Sequence, residues 1–138
     1  MKNKVLVIDD EPEVRRMIRR VLQKMDHEVI EAEDGADVAQ LVQREHPDLV
    51  LLDIHMPRLD GIATLSEILD FDPTIAVVMV TGDCDLDRVR LAMERGACEY
   101  ITKPFDLQNL ETSIAGNLER RSARQAATHA KQRGNHGI

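Results

Sequence analysis

The sequence predicts an open, five-stranded parallel, doubly wound α/β sheet, (βα)5, with helices on both faces. Three observations carry that reading. Short β-branched runs recur five times, helical stripes follow each of them, and the linkers are only a few residues long. Continuous apolar runs are what strands buried on both faces require. Repeated β-α units cover a parallel sheet with their helices, and five of them are too few to close an eight-stranded barrel.

The elements follow in order. Val5–Ile8 is the first strand, and Val14, Met17, Ile18, Val21, Leu22 and Met25 then step by three and four along one helix face. Glu28–Ala32 is the second strand, followed by a weaker stripe at Val38, Leu41 and Val42. Leu49–Leu52 is the third, with a short helix at Thr64–Leu69 after it. Ile75–Val80 precedes the stripe Leu86, Val89 and Met93, and Glu99–Ile101 precedes Leu107, Leu110, Ile114 and Leu118. There the apolar period stops. Residues 119–138 hold five bases against one acid, so they carry +4 and leave −11 on the rest. This pattern predicts a main domain over residues 1–120 and a basic, solvated tail or linker over 121–138. Ala123–Ala130 is alanine-rich enough to continue the fifth helix as a linker.

Composition narrows the function classes. With 138 residues and 43% hydrophobic content, the chain can build one ordinary core without disulfides or a structural metal. No apolar run is long enough to span a membrane, and the first residues lack the pattern of a secretory signal. Cys84 and Cys98 match no metal spacing or redox pair and read as reduced thiols, so a cytoplasmic location is expected. Aromatic residues are 2% and Trp is absent, which leaves no stacking platform for single-stranded nucleic acid. A net charge of −7 disfavours direct nucleic-acid binding by residues 1–120.

In doubly wound sheets ligands sit at the carboxyl ends of the strands, where strand order reverses. Those ends carry Asp9, Asp10 and Glu11 after the first strand, Asp53 after the third, Thr81 after the fourth and Lys103 with Pro104 after the fifth. Two carboxylates about 4 Å apart at an effective dielectric near 20 repel by roughly 4 kcal/mol, so such a cluster recruits a cation or raises a pKa. An oxygen-only donor set suits a hard ion, Mg²⁺ before Zn²⁺. Together with a lysine, it is the equipment for handling a phosphoryl group. Neither glycine-rich phosphate loop pattern occurs, so one carboxylate is the candidate acceptor.

V-L-V-I-D-D-E-P at 5–12, L-L-D-I-H-M-P-R-L-D-G at 51–61, M-V-T-G-D at 79–83 and G-A-C-E-Y-I-T-K-P-F at 96–105 resemble the receiver domain of two-component response regulators, a CheY-like superfamily with a flavodoxin-like fold. The resemblance covers about residues 4–120, in order and at family-like spacing. It implies that Asp53 accepts a phosphoryl group from a phosphohistidine on a bacterial sensor histidine kinase or histidine phosphotransfer protein. It further implies that Asp10, Asp53 and the His55 backbone carbonyl hold Mg²⁺, with Asp9 acting through a water. Lys103 would pair with the phosphoryl oxygens, Thr81 would donate its hydroxyl to one of them, and a cis bond before Pro104 would aim the ammonium inward. Thr81 and Tyr100 would form the switch.

Plainer roles compete for several of these residues. D-x-x-E at 10–13 fits a capping box with Asp10 as cap and Pro12 in the first turn. Thr81 could bond its own backbone, and Tyr100 could be an edge aromatic. Pro57, Asp60 and Gly61 shape the loop after the third strand, with Gly61 expected at positive φ. His55 and Asp83 lie two residues beyond Asp53 and Thr81, where they are candidates for tuning water access. Arg88 and Arg95 on the fourth helix, facing Asp106 and Glu111 on the fifth, suit a homodimer across the fourth helix, fifth strand and fifth helix. Arg15, Arg16, Arg19, Arg20 and Lys24 give the first helix a basic outer face that a kinase helical bundle fits. A Mg²⁺ phosphohydrolase with an aspartyl nucleophile and a receiver that works without phosphorylation are the rival classes. In such hydrolases the nucleophile follows the first strand, and pseudo-receivers lose an acid or the lysine. The output, and whether the chain is part of a longer regulator, are not written in these residues.

Overall fold

A computed structural model describes residues 2–34, 37–56, 59–82 and 86–136. Its main sheet contains β1 (Lys4–Ile8), β2 (Glu28–Ala32), β3 (Leu49–Asp53), β6 (Ala76–Thr81) and β7 (Glu99–Thr102), all parallel, in the order β2-β1-β3-β6-β7. The helices are α1 (Pro12–Lys24), α2 (Val38–Glu45), α3 (Gly61–Phe71), α4 (Leu86–Glu94) and α5 (Leu107–His136). The expected fold is the observed one, and each strand end lies within one residue of its expected place. Between β3 and α3 lies an antiparallel ribbon that apolar periodicity does not announce, β4 (His55–Met56) with β5 (Leu59–Asp60).

Because the central strands β1, β3 and β6 are buried on both sides, alternate side chains feed two separate cores. Leu6, Ile8, Val50, Leu52, Val77 and Met79 meet Val38, Val42, Leu65, Ile68, Val89 and Ala92 from α2, α3 and α4. Val5, Val7, Leu49, Leu51, Ala76 and Val78 meet Ile18, Val21, Leu22, Leu110, Ile114 and Leu118 from α1 and α5. Fully burying one such side chain contributes roughly 1.5–3 kcal/mol. Register is therefore firmly set, since a one-residue slip would exchange the two cores. The chain turns to opposite sides after β1 and β3, so these two neighbouring strands bracket the switch point.

One competing reading falls away and one local expectation is corrected. The N-cap of α1 is Glu11, with Pro12 beginning the helix, and no side chain caps it, so Asp10 is not a capping residue. Gly61 is not at positive φ; the described glycine that is, Gly96, has φ 110° and turns α4 into β7. What Gly61 supplies is proximity. A Cβ there would lie 3.1 Å from both Cα and O of Ile54 and 3.3 Å from Asp53 O.

The fifth helix passes through residue 120, where the domain was expected to end, and continues to His136. A polar contact replaces the lost apolar stripe. Arg121, only 8% exposed, donates from Nη1 to Asp48 Oδ1 at 2.7 Å, while Asp48 Oδ2 accepts from the Lys4 backbone N–H at 2.8 Å. Arg124 Nη2 reaches Thr74 O at 3.4 Å. These bonds fasten α5 to the amino-terminal pole of the sheet, opposite the acidic rim.

Candidate functional site

The site grows from the carboxyl ends of β1, β3, β6 and β7. Asp53 is the last residue of β3 and is 3% exposed; Asp9, just past β1, is 1% exposed. Asp9 is held on both sides, since its N–H donates to Ala32 O at 3.1 Å and its carbonyl accepts from Arg15 Nη1 at 2.6 Å. Its Oδ1 accepts the Glu11 backbone N–H at 2.9 Å, which shapes the entry into α1.

Lys103 comes from the far edge of the sheet. Its backbone N–H donates to Thr81 O at 2.7 Å, tying the end of β7 to the end of β6, and the bond to Pro104 is cis. The side chain reaches across the rim. Its Nζ lies 2.9 Å from Asp9 Oδ2, 3.1 Å from Glu11 Oε1 and 3.3 Å from Asp53 Oδ2. Burial disfavours the ammonium, but the carboxylates of Asp9, Asp53 and Glu11 outweigh that cost and hold its pKa well above the ordinary lysine value. Lys103 is therefore a fixed cation at neutral pH.

One ligating oxygen from each of Asp9, Asp10, Glu11 and Asp53 lies within 4.8 Å of the others. Four carboxylates against one ammonium leave the cluster three charges negative, and every donor is oxygen. That donor set fits a hard divalent cation. Asp10 and Glu11 are exposed, so the cup is open to solvent on the side away from β3. Thr81 is 1% exposed at the end of β6, one residue beyond the register partner of Asp53. Tyr100 is 44% exposed on β7, with its ring outside the core.

Of the site residues expected from the sequence, Asp9, Asp10, Asp53 and Lys103 come together, with three qualifications. Pro57 and Asp83, like Cys84, lie outside the described residues, and so does the His55 side chain; His55 is placed through its backbone in β4. Glu11 belongs to the cup although it was not among the expected ligands or phosphoryl-binding groups. Adjacency in the acidic run was its only signal, because its lysine partner is 92 residues away in sequence. Asp60, expected only to shape a loop, is the cap of α3, accepting from the N–H groups of Ile62 at 3.0 Å and Ala63 at 3.3 Å.

A switch-point sheet with carboxylates facing a lysine at its crest defines an open α/β domain with an acidic, lysine-bearing rim. The chain belongs to the response regulator receiver domain family, whose pattern it matches over residues 5–115. It is similar to the probable transcriptional regulator ycf27 of Porphyridium aerugineum, 40% identical over 119 residues that cover 86% of this chain and 49% of that protein. Sporulation initiation phosphotransferase F of Bacillus subtilis is 32% identical over 122 residues, covering 88% of this chain and 98% of that one. Among solved structures, NtrX from Brucella abortus superposes with a TM-score of 0.87 at 32% identity, over 94% of this chain and 30% of that chain. The chain spans about half the length of the ycf27 relatives it matches. It is thus a regulatory receiver of the two-component type. Among the described residues, no helix is long and apolar enough to cross a membrane.

Proposed function

We propose that Asp53 accepts a phosphoryl group from the phosphohistidine of a sensor histidine kinase or a histidine phosphotransfer protein. The supporting observation is a buried acid at a strand end, with a lysine ammonium 3.3 Å from its Oδ2. Asp53 oxygen attacks phosphorus, a P–O bond forms and the P–N bond breaks. The electron pair leaves with the imidazole, which keeps or takes up a proton from solvent. Lys103 meets charge on the transferring oxygens, and the fixed backbone around Asp9 and Thr81 keeps the cup in place without reorganisation. Asp10, Asp53 and the His55 carbonyl would hold Mg²⁺, with Asp9 through a water, and the bound ion would neutralise phosphoryl charge.

The phosphoryl group adds about 1.5–2 negative charges. Thr81 then donates its hydroxyl to a phosphoryl oxygen, and Tyr100 turns into the space vacated behind it. The readout face is formed by α4, β7 and α5, where Leu86, Leu91, Tyr100 and Leu107 are exposed, and it favours a homodimer. Two of the charges first considered for that contact are engaged elsewhere: Arg88 lies 3.8 Å from Asp60, and Glu111 3.9 Å from Lys24. Exposed apolar side chains therefore join Arg95 and Asp106 on that face. On α1, Arg15 and Arg19 are drawn to Glu31 and Lys24 to Glu111, which leaves Arg16 and Arg20 outward for the kinase.

Incubation with a small acyl phosphate and Mg²⁺, followed by intact mass measurement, tests the reading. A single phosphoryl adduct that Asp53→Asn abolishes is expected. Steady release of phosphate from ordinary monoesters, with no adduct, would replace this function with that of a hydrolase.

A further inference from the structure

Lys103 has three N–H donors, and three carboxylates surround it. The ammonium hydrogen-bonds to Glu11 at 3.1 Å and to Asp53 at 3.3 Å and is ion-paired with Asp9 at 2.9 Å. An arriving phosphoryl oxygen enters in competition with these partners. The three are not equal in what release would cost. Asp53 gives up its own carboxylate charge when it is esterified, whereas the Asp9 side chain is 1% exposed, and a buried carboxylate stripped of its cation has no water to replace it. The Glu11 side chain is 59% exposed and lies on the solvent side of the lysine, so water re-solvates it as it lets go.

We infer that Glu11 is a positioning residue that competes with the phosphoryl group for Lys103. It holds the ammonium over the cup before transfer and is the partner released after it. In the phosphorylated state the lysine donor passes from Glu11 Oε1 to a phosphoryl oxygen, and Glu11 swings into solvent. The freed carboxylate remains near a group of the same sign. Glu11 thus biases the domain toward its unmodified state twice, by occupying the lysine and by repelling the incoming charge. This inference rests on Asp53 being the phosphoacceptor.

Glu11→Gln tests it, because the amide keeps the size and an acceptor oxygen while removing the charge. The assay is the steady-state fraction labelled by a small acyl phosphate in Mg²⁺ buffer, read by intact mass against wild type. In that step an Asp53 oxygen bonds to phosphorus, the donor's acyl P–O bond breaks and the acid leaves as a carboxylate. The ratio of labelled to unlabelled protein should rise about threefold in Glu11→Gln at low salt, the scale of one solvent-exposed ion pair. The difference should shrink toward none at about 1 M salt, where screening acts within about 3 Å, a dependence that a merely structural role would not show. Calorimetric titration with Mg²⁺ alone supplies a second readout. Equal labelling of the two proteins would overturn the inference, as would a salt-independent difference. Reduced labelling with weakened Mg²⁺ binding would also overturn it, making Glu11 a cation ligand instead. If wild type itself takes no label, or if Asp53→Asn labels equally, it is the phosphoacceptor reading that fails.

Discussion

Replacing Gly61 by alanine separates two accounts of that glycine by the sign of the effect. Where a methyl fits, Gly→Ala stabilises a protein by about 0.4–1 kcal/mol, because the unfolded chain loses freedom. At Gly61 the new Cβ would stand 3.1 Å from Ile54 Cα, 3.1 Å from Ile54 O and 3.3 Å from Asp53 O. All three atoms are backbone. None can rotate away, so relief requires α3 to separate from the end of β3. Overpacking of this kind costs about 1–3 kcal/mol, which leaves a net loss near 1 kcal/mol after the unfolded-state gain. For a chain of this size that lowers Tm by roughly 4 °C. Urea denaturation with an unchanged m-value is the assay, and because the strained atoms carry Asp53, the rate of labelling should fall too. A Gly61→Ala protein more stable than wild type would show that the approach of α3 to β3 is not close, and would refute the packing argument.

Other consequences of the structure are as direct. Arg121→Met removes the Asp48 contact and should cost about 2 kcal/mol, below the value for a fully buried pair because the Asp48 side chain is 25% exposed. Hydrogen exchange should then lose protection in residues 119–128, and unchanged protection would mean that α5 holds its course without Arg121. Lys103 carries a folded-state pKa above its unfolded value, so its stabilising contribution is fully present below the unfolded pKa, about 10.4, and fades as pH rises through the folded value. The stability gap between wild type and Lys103→Met should therefore be flat from about pH 7 to pH 9 and narrow only above roughly pH 10.5. A gap that closes between pH 7 and 9 would contradict a lysine held charged by Asp9, Asp53 and Glu11. Asp60→Ala, which removes the cap of α3, should cost about 1 kcal/mol by the same denaturation assay.

The parts of the fold that were legible in the sequence are those that bury apolar side chains. The runs at Val5–Ile8 and Leu49–Leu52 could hardly be anything but central strands, and once they are paired, Asp9, Asp10 and Asp53 must meet at one rim. The ribbon of β4 and β5 was not legible, because two-residue strands have no period to read. The course of α5 beyond Leu118 was hidden for a different reason: its anchor is an arginine, and only the fold reveals that Asp48, 73 residues earlier, awaits it. Gly61 was singled out correctly but for the wrong cause, since a glycine needed for a close approach and one needed for a positive φ look alike in a sequence. Glu11 stood in plain view beside the two aspartates. Its significance depends on where a lysine from the opposite edge of the sheet comes to rest.

Chemical location of the label tests the central claim most directly. After reaction with an acyl phosphate, borohydride reduces an aspartyl phosphate to homoserine, which peptide mass analysis places at a single position. Conversion at residue 53 alone, absent from unreacted protein, is the predicted result. Homoserine at residue 9 or 10, or a stable adduct on a histidine with none at 53, would contradict it.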